Sequence, residues 1–242
     1  DLNVFPVPDG DTGTNMYQTL SGMKNRVTYV DTYSVQHLSK LLSDAALWEG
    51  RGNSGIILSQ IFKGIYLGLK DKDLTTINIV SSSLECAFNS AYASIANPTE
   101  GTILTVLRDI AEESGQQILT KRTFSDLLAA LSIKAKESVD STPNHLELLR
   151  DAGVVDSGAY GLEIFLRGIH LHLSGQDVKN VDIELRIPAK DGEGVENLIK
   201  NHHATEEIYG YCTQFILKSS VGIEDLRELF VDLGLSLVLA GD

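Results

Sequence analysis

Two carboxylates stand two residues apart near the start of the chain, in Asn3-Val-Phe-Pro-Val-Pro-Asp9-Gly-Asp11-Thr-Gly-Thr-Asn15-Met16. A packed core has no use for such a pair. A hard cation does: Mg²⁺ takes one or two carboxylates and keeps the rest of its shell for water and substrate phosphates. Gly10 and Gly13 let the backbone turn tightly around an ion, and Pro6 and Pro8 stiffen the approach. Asp-Gly is also ordinary turn chemistry. The second acid and the polar run Thr12, Thr14, Asn15 go beyond what a turn requires. An EF-hand does not fit, because its sixth and twelfth positions want Gly and Glu and here hold Thr14 and Leu20.

Two further glycine-rich turns, Gly50-Arg51-Gly52-Asn53-Ser54-Gly55 and Gly153 to Gly158, also precede helical patterns. A helix start offers free N–H groups and a positive dipole end, which suit a phosphate. The first of these turns formally matches G-x-G-x-x-G. A helix rather than a strand leads into it, so a dinucleotide fold is not indicated. A helix corner with a C-cap glycine would need fewer glycines. No Walker A lysine pattern occurs. The six histidines show no zinc-ligand spacing. His170 and His172 sit near a helix end, and His202 and His203 lie in a polar stretch. Trp48 is expected in the core or a pocket wall, and Cys212 as a buried small hydrophobe.

The elements that must position these turns are helical. The spacing predicts a short helix over 15–24 and another from the N-cap Ser34 to about Trp48. Others carry Ile57, Ile61, Phe62, Ile65 and Leu69, or Ile77 to Ile95 after a cap at Asp73 or Thr75. Glu100-Gly101-Thr102 opens the next, Thr123 caps a fifth, and Thr142-Pro143 is expected to start a short one. The 153–159 turn leads into a helix stopped by Ser174-Gly175. Residues 1–174 therefore read as an all-α domain of antiparallel neighbours. Residues 175–205 read as a linker. Residues 206–242 read as strand, helix and strand, with strands over 208–217 and 235–240. So small a unit cannot build its own core, so it reads as the start of a truncated α/β domain. Since the chain opens on Asp1 rather than Met, a fragment, or a chain whose disordered start is missing, is expected.

Composition narrows the function. The chain has 242 residues and a hydrophobic fraction of 43%, enough for a real core. A net charge of −13 argues against a nucleic-acid surface. It does not exclude a nucleotide held by metal ions and backbone N–H groups. Two cysteines far apart, Cys86 and Cys212, give no disulfide framework. No apolar run reaches membrane-spanning length and no signal peptide is visible, so a cytoplasmic location is expected.

The acid loop, Gly50-Arg-Gly-Asn-Ser-Gly, Glu100-Gly-Thr and Asp156-Ser-Gly-Ala, in that order over residues 1–174, resemble the ATP-binding subunit of bacterial fatty acid kinase. They resemble more distantly the L domain of dihydroxyacetone kinase. The resemblance implies a closed bundle of about eight antiparallel helices that binds ATP or ADP at one end. It also implies an acid loop carrying two Mg²⁺ ions. Asp9 and Asp11 match the acid pair. Asn3 stands near a third aspartate of the kinase L domain, one residue off in spacing. Asp9, Asp11 and Asn3 are thus the candidate metal ligands, and Asp9, Asp11 and Thr12 the candidate catalytic group. Thr12, Asn15 and Met16 fall near the phosphates. Gly52, Asn53, Ser54 and Gly55 form the second phosphate turn. Thr102, Asp156 and Gly158 lie in segments lining the nucleoside. The family has a helix ahead of the acid loop, and none precedes Asp1 here. Its middle domain joins a Tyr-Gly-Tyr-Cys cysteine, matched by Cys212, to later histidines as a second metal site.

The reaction implied is transfer of the γ-phosphoryl of ATP to the carboxylate of a fatty acid held by a DegV-type fatty-acid-binding partner. A homodimer would form through the later domains. That chemistry suits what the residues lack. Phosphoryl transfer is mostly positioning and charge neutralisation, and a carboxylate nucleophile is already ionised at neutral pH. Two other readings stand beside it. Dihydroxyacetone kinase wants histidine where Thr12 stands. A non-catalytic nucleotide-binding adaptor would bind without turnover.

Overall fold

Short polar residues begin most of the helices. Ser34, Thr76, Thr102, Thr123 and Asp156 each hold extended backbone just ahead of a helix, and each side-chain oxygen accepts a hydrogen bond from an N–H two or three residues on. Such caps satisfy donors that the helix itself leaves free. The computed structural model describes residues 3–6, 9–31, 34–72, 76–118, 120, 123–180, 213–234 and 236–241. Its helices are α1 (Thr12–Val27), α2 (Val35–Glu49), α3 (Gly52–Leu69), α4 (Ile77–Ser94), α5 (Ile103–Gln117), α6 (Phe124–His145), α7 (Glu147–Ala152), α8 (Ser157–Leu173) and α9 (Ile223–Phe230).

The long helices close into a ring. From α1 to α6 each packs on the next, α6 packs on α8, and α8 returns to α1. The fold is thus the all-α closed bundle expected. The main core joins Leu58 of α3, Leu107 of α5, Leu127 and Leu131 of α6 and Leu162 of α8. Burying each such leucine contributes about 2 kcal/mol. Gly64 and Gly68, one turn apart on α3, bring it against α4: a Cβ at Gly64 would run into the Ala87 backbone, and one at Gly68 into Ser83. A smaller cluster of Val4, Leu149, Ala152 and Val154 pins the start of the acid loop to α7. Among the described residues no helix is long and apolar enough to cross a membrane.

Several expectations need correction. The first helix begins at Thr12 rather than Asn15, because the Asn15 N–H already donates to the Asp11 carbonyl at 2.8 Å. Thr76 caps α4, through the Ile79 N–H; the expected caps Asp73 and Thr75 lie outside the described residues. Thr142-Pro143 does not start a helix but lies inside α6. Proline removes the N–H that would bond to the Val139 carbonyl. The Thr142 hydroxyl donates to that carbonyl instead, at 2.8 Å, and the helix runs on to His145. Trp48 is 56% exposed. The buried residues of α2 are Ser39, Ser43, Ala45 and Ala46, and Trp48 stands roughly 200° around the helix from Ala46.

Gly175 follows α8 at φ 71°, and a 3₁₀ turn covers Val178–Asn180. The rest of the expected linker, residues 208–212 of the first strand, Cys212, His202 and His203 lie outside the described residues. Residues 213–219 carry no strand, and of 236–240 only Val238 pairs, in one bridge to Ile95 at the end of α4. A strand exists through its partner, and among the described residues neither segment has a strand beside it.

Candidate functional site

Four helix starts meet at one cavity of about 350 Å³. Thr12 enters it from the first turn of α1, Asn53 and Ser54 from α3, Thr102 to Leu104 from α5, and Asp156 to Gly158 from α8. Phe5 and Pro6 of the acid loop, Ile95 after α4, and Leu237 and Val238 complete the walls. No lysine, arginine or histidine lines it among the described residues. Each helix start carries about half a positive charge, and at α1 and α3 no capping side chain takes up the N–H groups. The site can therefore receive an anion without a basic side chain.

Three buried threonines hold these turns in place. Thr19 of α1 donates its hydroxyl to the Asn15 carbonyl at 2.8 Å and accepts from the Arg51 N–H at 3.1 Å, which fixes the corner between α2 and α3. Thr105 of α5 accepts from the Gly101 N–H at 2.8 Å and donates to Glu100 at 2.7 Å. Thr142 of α6 accepts from the Asp156 N–H at 3.1 Å while donating to Val139. A hydroxyl can donate and accept at once, so each threonine ties its own helix to a neighbouring loop. Sequence reasoning missed Thr19 and Thr105 and read Thr142 only as a helix start. A threonine in an apolar helix stripe is the signal that could have marked them.

Asp156 caps two helices. Its carboxylate accepts from the Ala159 N–H at 2.8 Å, and the Gly158 and Ile103 N–H groups also face it. Burial nevertheless raises its carboxyl to about 6, those hydrogen bonds opposing the shift. Gly158 lies tight against Asp156 and Ile103.

The acid pair stands just ahead of Thr12 and is exposed. Asp9 accepts from the Asn3 side-chain amide at 2.7 Å and from the Asp11 N–H at 3.3 Å. Asn3 is itself buried, and its carbonyl oxygen accepts from the Ser157 hydroxyl at 3.4 Å. Asn3 thus links the acid loop to α8. The Asp11 carboxyl is raised above its ordinary value, by partial loss of solvent first and further by the Asp9 charge, against a hydrogen bond with Asn15. Among the described residues no group of three His, Cys, Asp or Glu is gathered to hold a metal alone. Two carboxylates fit a cation that draws its other ligands from water and a phosphate. They do not fit a closed protein-only site.

The structure gathers Thr12, Asn53, Ser54, Thr102, Asp156 and Gly158 around the cavity. Asp9, Asp11, Asn15, Gly52 and Gly55 do not line it; Asp11, Gly52 and Gly55 adjoin the lining residues Thr12, Asn53 and Ser54 in sequence. Asn15 faces Gly52, where an added Cβ would strike its side chain, and Gly52 has φ 57°. Gly55 leaves room for Thr19 in the same way. Met16 is buried in the main core and lies against Gly161 of α8, away from the cavity.

Comparison with known proteins places this site in a family. The model of the DAK2 domain matches residues 6–171. A Staphylococcus epidermidis protein named only as uncharacterized is 36% identical across the whole chain. Staphylococcus saprophyticus and Staphylococcus aureus (strain USA300) have similar uncharacterized proteins, 36% and 33% identical, again across the whole chain. The chain spans 44–45% of the length of these relatives. The family match runs from the acid loop into the last helix of the bundle and takes in all four turns, so the chain belongs to the DAK2-domain family.

Proposed function

We propose that this chain is the nucleotide-binding unit of a kinase that transfers the γ-phosphoryl of ATP to a fatty-acid carboxylate, giving acyl phosphate and ADP. The acyl substrate would be presented by a DegV-type fatty-acid-binding partner. The observation that carries the nucleotide assignment is the meeting of four helix N-termini at a cavity without basic side chains. The DAK2 family is kinase-related, which supports phosphoryl transfer. The fatty-acid acceptor rests on the motif resemblance. Residues 1–174 form the kinase unit in this reading, with 175–205 a linker and 206–242 the start of a further domain.

The chain's own groups divide the work. Amides at the starts of α1 and α3, with the hydroxyls of Thr12 and Ser54, hold the phosphates, and the Thr102, Asp156 and Gly158 segments face the nucleoside. The apolar walls at Ile57, Ile95 and Leu237 suit a base. Asp9, steadied by Asn3, and Asp11 would hold Mg²⁺. When bound, Mg²⁺ neutralises phosphate charge and polarises the transferring group. A carboxylate oxygen of the acceptor forms the new bond to the γ-phosphorus. The bond to the β–γ bridging oxygen breaks, and its electron pair leaves on ADP. No proton moves, so no general base is required.

The test is ADP release. Chain, ATP and Mg²⁺ are mixed with or without a lipid-loaded DegV-type protein. ADP formed in step with acyl phosphate, and only with the loaded partner, is the expected result. Nucleotide binding without turnover under both conditions would replace the kinase with a binding module.

A further inference from the structure

The stretch from 213 to 241 reaches the second phosphate turn at the groups a phosphate would use. The Gln214 carboxamide straddles the corner between α2 and α3. Its Nε2 donates to the Gly50 carbonyl at 2.9 Å, and its Oε1 accepts from the Gly52 N–H at 3.3 Å. Beside it the Asn53 amide donates to the Ser236 hydroxyl at 3.0 Å. The same stretch is pinned further along. The Ala96 N–H donates to the Leu237 carbonyl at 3.1 Å, the Leu239 N–H donates to the Ser94 carbonyl at 2.9 Å, and Lys63 reaches the Gly241 carbonyl. Leu237 and Val238 thereby become a cavity wall.

Resting on the nucleotide reading of this site, we propose that Gln214 is an internal latch. It competes with a nucleotide phosphate for the Gly52 N–H, so nucleotide binding and the Gln214–Gly52 contact oppose each other. A charged phosphate oxygen is a stronger acceptor than a neutral carboxamide. The bond to Gly52 is long for an N–H···O contact, so it exchanges readily. Gln214 is exposed, so water can satisfy its side chain once released. Linkage makes the effect mutual: the factor by which the latch weakens nucleotide binding is the factor by which nucleotide weakens the latch.

The contact could instead brace the turn, since Gln214 also bonds to Gly50. Opposite substitutions separate the two roles. Mg-ADP is titrated calorimetrically into the parent chain, Gln214→Ala and Gln214→Glu. A latch predicts Kd about fivefold tighter for the alanine variant, the worth of one neutral hydrogen bond. It predicts weaker binding for the glutamate variant, whose carboxylate keeps the Gly52 N–H and repels phosphate. A brace predicts weaker binding in Gln214→Ala, and that result, or an unchanged Kd, overturns the latch. Amide exchange at Gly52 without nucleotide reads the contact separately: it should quicken in Gln214→Ala, and exchange no faster than in the parent overturns the contact itself. If the parent binds no Mg-ADP, the nucleotide reading and the latch both fall. If the parent binds and Gln214→Ala is no tighter, only the latch falls.

Discussion

Residue chemistry at the acid loop separates charge from shape. Asp9 and Asp11 are exposed and contribute little to packing, so Asp9→Ala and Asp11→Ala should leave helix content unchanged by circular dichroism. Each should abolish turnover, because polyphosphate beside two carboxylates repels without an ion between them. Near-normal turnover in either variant would contradict the metal role. At the second turn the proposed phosphate cradle rests on backbone N–H groups more than on any side chain. Gly52→Val forces a β-branched residue to φ 57° and into Asn15. It should lose more nucleotide affinity than Ser54→Ala, which removes one hydrogen bond of about 1 kcal/mol. A titration giving the reverse order would count against a backbone cradle. Asp156 carries the pH dependence. Its folded value of about 6 lies above the ordinary 3.8. Between about pH 4 and 6 the folded protein keeps a proton that the unfolded chain has released. Stability from this group is thus full below about pH 4 and falls as pH rises through 6, by at most about 3 kcal/mol. Asp156→Asn cannot titrate, so the fall in Tm across that window should flatten. A slope equal to the parent's would assign it to other groups.

At the scale of elements, the helices were legible wherever a cap and an apolar stripe agreed. Ser34, Thr102 and Thr123 are such cases. Misreadings came where a side-chain hydrogen bond or the packing of a helix face overruled a local signal. Pro143 looked like a helix start, yet Thr142 supplies the hydrogen bond that proline cannot and α6 continues. Trp48 looked like core, yet α2 turns its small residues inward and leaves the indole outside. The bridges made by the buried threonines were invisible, since their partners lie on other elements. Thr142→Val keeps the shape and deletes the hydroxyl, leaving the Asp156 N–H buried without its acceptor. We expect a loss of about 1–3 kcal/mol by denaturant unfolding, with nucleotide affinity falling as the α8 turn loosens. An unchanged midpoint would show that the threonine bridge is incidental.

At the scale of the whole molecule, the ring of helices explains why a site can be built from four distant stretches of sequence. Closing α8 onto α1 brings Asn3 within reach of Ser157 and sets the acid loop beside the α8 turn. Sequence motifs named Thr12, Asn53, Ser54, Thr102, Asp156 and Gly158 among the residues that line the cavity. They did not show that Ser236, Leu237 and Val238 would cover it, because that contact depends on chain returning to α4 from beyond residue 212. The central claim is that helix N-termini and an acid-held cation together receive a polyphosphate. Calorimetric titration of ADP, with Mg²⁺ and again with EDTA, into the parent chain and into an Asp9→Asn/Asp11→Asn variant tests it most directly. Saturable one-to-one binding that needs Mg²⁺ and is lost in the variant is the predicted result. Binding of equal strength in EDTA, or in the double variant, would contradict it.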